Sequence, residues 1–474
     1  MKFKLLFFII LFPICIVSDD FHVINGFWGD RAIGLAGSYT ALGDDASGMV
    51  YNPAGMVYSQ NKYNTISTTN FRNFTKNYEN AISPGQNYKF YSNSYVPNFM
   101  GSLVKFDSFV LGFSLLSKNE DSYSRKDDVN NPLYFNEDSL KINTINEKRN
   151  YSFGPSIAYK INSNFSIGLT IYNNYNFSSF NKTLVESYPG GFVKNENLSD
   201  QKTTNSLTPK LGIQYMPNEK VSLGLTVSSL INYGGRRQKT FSYMDSNTNN
   251  YNDIKLYSGS ETLSGWKNNQ SILFPEKIPY ILPEIKRIDI GIAWFPNSRF
   301  LVSTNLTYTS GFRFKSTGYE LGANNGLEIY ITKNHNEELE RIPIWNFAVG
   351  MEYFLFENIS FRTGYFTNNS NSPSKKWKEI MINGYLELNY PNIAILNSPN
   401  IQFRNKPIVP SENWEHINLH GFTASISYHI SDTALSLSYV RENGQGLSNL
   451  DESNLPQKLK YYSNYFYFSA SVSK

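Results

Sequence analysis

Polar and apolar residues alternate along much of this chain with the two-residue period of a β-strand. The clearest example begins at Tyr151, where every second residue is mostly large and apolar and the residues between are small or polar. A second example runs from Val221 to Ser228. Because successive side chains of a strand point to opposite faces, each of these strands has one apolar side and one polar side. The pattern predicts an all-β protein.

Two such strands joined by a short turn form a unit that recurs six times, with turns such as residues 162–164 and 296–298. The units begin at Met100, Tyr151, Ser206, Arg287, Trp345 and Gly421. One more strand near residues 61–73 and a last one near residues 458–472 complete a set of 14 antiparallel strands. An even number of strands is typical of bacterial membrane barrels.

Connections between the units alternate with the short turns and are long. The links at residues 117–150, 232–284 and 368–416 are rich in Asn, Ser, Tyr and Lys, and we expect solvated loops there. Short turns at one end and long loops at the other are typical of an outer-membrane β-barrel. A soluble β-sandwich, which also alternates, is the competing architecture. The aromatic content of 16% at a mean hydropathy of −0.40 favours the barrel.

The first 18 residues have the features of an export signal, with Lys2 and Lys4 before an apolar run at residues 5–17 and a cleavage site expected after Ser18. That run is shorter than the roughly 20 residues a membrane helix needs. Cys15 is the single cysteine, so a mature chain starting at residue 19 has no thiol. The alternative is a lipoprotein in which Cys15 is acylated. A net charge of +4 gives no reason to expect nucleic acid as a partner.

Residues 19–60 differ from the rest because they are rich in small residues. Asp45 is expected to cap a short helix over residues 46–50, since a carboxylate accepts from the free amides of a helix start. Asn52 and Pro53 suit the N-cap and first position of another helix. This segment therefore predicts compact helical turns.

The same segment resembles the N-terminal hatch of the FadL/TodX/OmpP1 family of outer-membrane transporters. The residues that carry the resemblance are Gly29-Asp30-Arg31-Ala32, Gly34-Leu35-Ala36-Gly37, Asp44-Asp45-Ala46-Ser47 and Tyr51-Asn52-Pro53-Ala54-Gly55. It implies a 14-stranded transmembrane barrel over residues 61–474 with residues 19–60 inside it as a plug. The plug motif would comprise Arg31, Asp44, Asp45, Asn52, Pro53 and Ala54.

The resemblance also implies a function. It implies uptake of hydrophobic compounds, above all long-chain fatty acids, by plug movement and lateral diffusion through the barrel wall. The chain would be a monomer in the outer membrane, in contact with lipid and assembled by the barrel assembly machinery, with both termini in the periplasm. It would be neither an enzyme nor a cofactor-binding protein. Arg31, Asp44 and Asp45 could equally form ion pairs between plug and wall.

An apolar stretch near the end of the second long link is a candidate landing surface for a hydrophobic ligand. Its residues are Phe274, Ile278, Tyr280 and Leu282, and Lys286 or Arg287 could pair with a carboxylate. The same stretch could instead fold as a rim of the barrel. Gly112 is the candidate for a lateral opening, because glycine inside a strand often marks a bulge.

Two other functions remain open from the sequence: a porin for polar solutes and a surface adhesin. An enzyme has little support. His416 and His420 have a metal-binding spacing only on a helix, and a catalytic arrangement around His429 would need geometry that a sequence does not show.

Overall fold

The computed structural model describes residues 22–24, 26–60, 62–83, 86–117, 123–130, 139–188, 191–245, 254–258, 261–266, 271–273, 278–324, 328–372, 414–449 and 457–473. The helices are α1 (Asp30–Gly34), α2 (Gly48–Tyr51) and the 3₁₀ helix η1 (Pro53–Tyr58). The strands are β1 (Lys62–Ser83), β2 (Gln86–Lys105), β3 (Phe109–Ser117), β4 (Tyr123–Asn130), β5 (Ser139–Lys160), β6 (Phe165–Tyr188), β7 (Phe192–Asn218), β8 (Val221–Asp245), β9 (Ile254–Ser258), β10 (Glu261–Trp266), β11 (Ser271–Leu273), β12 (Ile278–Pro279), β13 (Ile285–Asn297), β14 (Phe300–Thr309), β15 (Phe312–Asn324), β16 (Glu328–Arg341), β17 (Ile344–Phe356), β18 (Ile359–Asn368), β19 (Trp414–Ile430), β20 (Thr433–Asn449) and β21 (Gln457–Ser473).

Fourteen of these strands close into an antiparallel barrel, which confirms the predicted fold. Their order around the wall is β1, β2, β3, β5, β6, β7, β8, β13, β14, β17, β18, β19, β20 and β21, and β1 pairs with β21 to complete the ring. Outside the ring order, β4 extends the wall along β5, and β11 and β12 extend it along β8. A separate sheet contains β10, β9, β16 and β15.

All six predicted hairpins are present, and their turns lie at one end of the barrel, which we call the turn end. The turns are at residues 106–108, 161–164, 219–220, 298–299, 357–358 and 431–432. The start of β1 and the end of β21 meet at the same end, since Tyr63 pairs with Ser473. The opposite end, which carries the long connections, is the loop end.

The outer face of the wall carries an exposed apolar band between two belts of aromatic residues. In β5 the belts are marked by Tyr151 and Tyr159, and in β17 by Trp345 and Tyr353. Each pair spans nine residues with both aromatics counted, close to the roughly 9 to 11 that a tilted strand needs to cross a bilayer. Among the described residues, no helix is long and apolar enough to span one.

The strands continue far beyond this band at the loop end, where solvated loops were expected. β5 begins at Ser139, within the first long link, and β8 continues to Asp245, within the second. β1 likewise ends at Ser83 rather than near residue 73. The expectation was wrong because both faces of these extensions are polar, so they lose the alternation that identifies a half-buried strand, while their backbone pairing continues.

Candidate functional site

The N-terminal segment, residues 26–60, lies across the inside of the barrel. Helix α1 contacts β18, β19, β20 and β21 on one side, and η1 contacts β3, β5, β6 and β7 on the other. Most of its residues are buried. The segment therefore occupies the lumen between opposite walls.

Glycines of the wall mark where the segment touches it. A Cβ at Gly224 of β8 would lie 2.0 Å from the carbonyl oxygen of Thr40, and one at Gly350 of β17 would lie 2.6 Å from that of Leu35. Such distances are shorter than any real carbon–oxygen contact, so a side chain at either position would force the two backbones apart. Glycine allows this close approach because it has no Cβ.

Asn52 and Pro53 begin η1 as predicted. The Asn52 side-chain oxygen accepts from the amide of Ala54 at 3.1 Å, and Pro53 occupies the first position of the helix. The Asn52 amide group also donates to the carbonyl oxygens of Thr40, at 2.7 Å, and of Ile213 in β7, at 3.0 Å. One buried side chain thus caps η1, ties it to the preceding turn and anchors both to the wall.

Helix α2 begins at Gly48 rather than at residue 46, and Asp45 caps the turn that leads into it. The Asp45 Oδ1 atom accepts from the amide of Ser47 at 2.7 Å and from the Ser47 hydroxyl at 2.5 Å. The Asp45 carbonyl oxygen also accepts from the Gly48 amide at 3.0 Å, as expected of a capping residue. Burial, and then the neighbouring charge of Asp44, raise the pKa of Asp45 to about 6.

An ion-pair network joins α1 to the wall. Arg362 of β18 donates to Asp30 at 2.9 Å and to Glu352 of β17 at 2.7 Å. Arg31 bridges Glu352 and Asp44, at 2.7 Å to each. The Arg362, Asp30 and Glu352 side chains are at most 4% exposed. Arg31 and Asp44 are therefore engaged in ion pairs, one of the two roles that the sequence left open.

The lumen on the loop-end side of the segment contains a buried apolar cluster that the sequence interpretation missed. We call it the lumenal aromatic cluster; its members are Phe74, Tyr78, Tyr88, Ile417, Leu419, Leu459 and Tyr461. Strand β21 carried a signal for it, because aromatics occupy both of its faces: Tyr461, Tyr465 and Tyr467 are buried, whereas Phe466 and Phe468 are exposed. A barrel interior is ordinarily polar.

Charged groups border this cluster. Glu415 accepts from Lys76 at 2.6 Å and from the Tyr78 hydroxyl. The Arg125 guanidinium lies 4.6 Å from the ring centroid of Tyr88, and the Tyr88 hydroxyl donates to Asp127 at 2.8 Å. The cluster thus combines an apolar body with fixed polar groups, the usual composition of a small-molecule site.

The predicted ligand-binding residues do not form one surface. Phe274 lies outside the described residues, and for Ile278 the structure gives the backbone pairing with Arg237 alone. Leu282 is half-buried, Lys286 is exposed, and Arg287 pairs with Asp289 at 2.7 Å. Lys286 and Arg287 are consecutive residues of β13, so their side chains point to opposite faces of the wall.

Tyr280 is buried in the loop-end half of the barrel and has cations around it. The Lys202 ammonium and the Arg237 guanidinium lie 5.7 and 5.8 Å from its ring centroid, and Phe314 packs edge-on at 5.5 Å. Asp200 pairs with both cations, at 2.7 Å from Arg237 and 3.6 Å from Lys202. We call Tyr280, Lys202 and Arg237 the cationic tyrosine site.

Strand pairing is continuous through Gly112, so this glycine does not mark a break in the wall. It pairs with Leu103 of β2 and Ser156 of β5 without a shift of register. A Cβ at Gly112 would lie 2.6 Å from the Met49 sulfur. Room for a side chain of the N-terminal segment explains the glycine.

An interruption does occur between β8 and β13. On its turn-end side Ile285 pairs with Leu230, and on its loop-end side Pro279 pairs with Arg236. No ladder pairing is present for residues 281–284 between them. Pro283 has no amide hydrogen to donate to a ladder. The contacts that cross this interruption include Asn232 to the Leu282 carbonyl oxygen at 3.0 Å.

A cavity of about 500 Å³ lies at the turn end, on the other side of the N-terminal segment. It is lined by Met216, Phe295, Leu301 and Phe354 together with Arg31 and Glu352 of the ion-pair network, and residues 219–220 and 296–299, at or next to hairpin turns, border it. We call it the turn-end cavity.

Closed strands, an apolar outer band and an inserted N-terminal segment define an occluded β-barrel of the outer-membrane type. A family model, "Outer membrane protein transport protein (OMPP1/FadL/TodX)", matches residues 29–394. The chain belongs to this family of outer-membrane proteins, which is made up of transport channels for hydrophobic compounds.

Solved structures with the same fold support the assignment. A Pseudomonas aeruginosa FadL homologue is similar with a TM-score of 0.56 at 12% identity, over 94% of this chain and 98% of that one. The P. putida toluene transporter TodX gives a TM-score of 0.56 at 10% identity, over 95% and 99%. The CymD monoaromatic hydrocarbon channel gives 0.52 at 13%, over 95% and 98%. A search of curated proteins returned no match.

Proposed function

We propose that this protein takes up long-chain fatty acids across the outer membrane. The observation that carries the proposal is the lumenal aromatic cluster, which gives the loop-end half of the lumen an apolar interior. An apolar lining favours a hydrophobic cargo, because burial of its surface is worth roughly 25 cal/mol per Å². A porin for polar solutes needs a continuous water-filled lumen instead, and the N-terminal segment lies across this one.

The cationic tyrosine site supports an acid as the cargo rather than a neutral hydrocarbon. Two cations, Arg237 and Lys202, lie around the Tyr280 ring and share one carboxylate, Asp200, so the group has a net positive charge that favours an anionic head group. A fatty acid could place its head group there and its chain towards the apolar lumen.

We further propose that the N-terminal segment acts as a plug that shifts during uptake, and that cargo leaves sideways at the interruption between β8 and β13. The exposed side chains of Ile231 and Tyr233 on β8 place this interruption at the loop-end edge of the apolar band. Because the turn end of such barrels faces the periplasm, that edge adjoins the outer leaflet.

The proposal is tested by uptake of radiolabelled palmitate and of toluene in a Gram-negative strain lacking its own transporters of this family. Leu459→Asn should reduce uptake of both compounds about tenfold. Cargo lying against the cluster would leave the new side-chain amide buried without a hydrogen-bond partner, which costs about 1–3 kcal/mol. Tyr462→Asn, on the outer face of the same strand, is the matched control and should change neither. Uptake is compared at equal amounts of folded barrel, measured from the gel band whose mobility changes on heating.

Arg237→Gln separates the two cargo classes in the same assay. Palmitate uptake should fall about tenfold while toluene uptake stays unchanged, because a charge-assisted hydrogen bond is roughly twice as strong as a neutral one. Equal loss for both compounds would contradict the head-group assignment. No palmitate uptake by the unmodified protein would contradict the function itself.

A further inference from the structure

The turn-end cavity has an apolar lining where the rest of the barrel at that level does not. Its lining side chains Met216, Phe295, Leu301 and Phe354 come from β7, β13, β14 and β17. Met216, Phe295 and Phe354 are half-buried, and Leu301 packs against the N-terminal segment. Phe295, Leu301 and Phe354 come from the consecutive strands β13, β14 and β17 and form an apolar wall, and Met216 lies on the far side of β8.

The register of the neighbouring strands shows how unusual this wall is. Phe354 pairs with Ser360, which pairs with Ser427, then Ser436, then Ser469, each on the next strand around the barrel. All four serines are buried. The same level of the lumen is thus lined by small polar residues from β18 to β21 and turns apolar at β17. On the serine side helix α1 contacts the wall from β18 to β21, so the lumen is filled there by the N-terminal segment.

The charges around the cavity are of two kinds. Arg31 and Glu352 on its inner side pair with each other and belong to the ion-pair network. Lys220 and Arg299 at the border are exposed, and within the described ranges neither has an ion-pair partner. Glu219 is the acid at this border. The cavity therefore offers an apolar interior and two available cations at its mouth against one carboxylate.

We propose that the turn-end cavity binds an anionic amphiphile, with one aliphatic chain against Phe354 and Phe295 and the head group at Lys220 and Arg299. Its volume lies within the roughly 300–1,000 Å³ of small-molecule sites. An apolar patch of this kind facing water marks an interaction site. The ion-pair network lies between this cavity and the lumen, so the ligand enters from the turn end. The site does not depend on the proposed uptake function.

The chemistry fits two sources, a free fatty acid and a bilayer lipid, and the experiment separates them. The full chain is placed in nanodiscs of phosphatidylcholine, since detergents are amphiphiles and would compete. One sample receives palmitate with a diazirine at its chain end; another contains a small fraction of phosphatidic acid with a diazirine-bearing chain. After irradiation, labelled peptides are identified by mass spectrometry.

We expect the palmitate probe to label peptides containing residues 295–301 and 354, with labelling displaced by excess unmodified palmitate. Phe354→Ser continues the serine row of the adjacent strands and should reduce this labelling about tenfold, as should the double variant Lys220→Gln, Arg299→Gln. Tyr353→Ser, on the outer face, is the matched control and should leave it unchanged.

Labelling of these peptides by the phosphatidic acid probe alone, with the same sensitivity to the variants, supports the site and assigns its ligand to the bilayer. Absence of labelling by either probe overturns the proposal, and so does labelling that Phe354→Ser leaves intact. Palmitate labelling confined to the lumenal aromatic cluster also overturns it while supporting uptake. No specific labelling anywhere would count against both.

Discussion

Replacing Arg362 with glutamine removes the cation that holds Asp30, at the start of α1, against the wall. In the part of the chain that the structure describes, Arg362 is the cation that pairs with Asp30, whose side chain is 4% exposed. Arg31 stays with Glu352 and Asp44 in the variant. Asp30 then either remains buried as an unpaired carboxylate or reaches water through release of α1.

The loss in the free energy of docking α1 follows from these two states of Asp30. Removing one partner of a buried ion pair costs about 3–5 kcal/mol, and the amide of glutamine recovers part of it. We take about 3 kcal/mol, which corresponds to an increase of roughly 100-fold in the population with α1 undocked. Undocking relieves the penalty because it returns Asp30 to water, so the loss appears in the docking of α1 rather than in the barrel.

Hydrogen exchange measured by mass spectrometry on the purified full chain reads this population directly. The relevant amides are those of Ile33, Leu35 and Gly37, which donate to carbonyl oxygens within or just before α1. They should exchange about 100-fold faster in Arg362→Gln. Arg441→Gln, an exposed arginine of β20, is the matched control and should leave exchange unchanged.

A second substitution separates the ion pair from general damage to the wall. Asp30→Asn in the Arg362→Gln background removes the unpaired charge and should restore most of the protection, as a double-mutant cycle requires of coupled residues. A change below about threefold in the single variant, or no recovery in the double variant, would show that the pair between Arg362 and Asp30 does not hold α1 against the wall.

Two further predictions concern the segment and the wall. The pKa of Asp45, raised to about 6 from its usual 3.8, means that its ionisation opposes docking by about 3 kcal/mol. Docking should therefore be weakest above pH 6 and strengthen as the pH falls towards 3.8. Hydrogen exchange at residues 46–51, corrected for intrinsic rates, should be faster at pH 8 than at pH 5, and Asp45→Asn should abolish the difference. Equal protection of the unmodified protein at both pH values would contradict this prediction. A disulfide formed by Asn232→Cys and Leu282→Cys, across the interruption, should block palmitate uptake until it is reduced. The control pair Leu225→Cys and Ile290→Cys lies across continuous strand pairing and should leave uptake unchanged. Uptake unaffected by the first disulfide would exclude this exit.

The barrel could be predicted from the sequence because the membrane imposes alternation where the strands cross it. All six hairpins were predicted, since each joins two strands with one apolar face. The loop-end extensions of β5 and β8 could not be recognised, because water on both faces removes the alternation while the backbone still pairs.

The site was predicted where the chemistry is local. The signal for a helix start lies in the adjacent residues Asn52 and Pro53, and η1 begins at Pro53. The pair between Asp30 and Arg362 joins residues 332 positions apart, so no spacing in the sequence could indicate it. Gly112 failed as a marker of a bulge because glycine also serves where another backbone or side chain approaches closely, as Met49 does here.

We infer that the N-terminal segment leaves no continuous aqueous path through the barrel. Single-channel recording of the purified full chain in a planar bilayer measures such a path. We expect no stable open channel in the unmodified protein and the appearance of one when residues 26–60 are deleted. A large steady conductance in the unmodified protein, equal to that of the deletion variant, would contradict it.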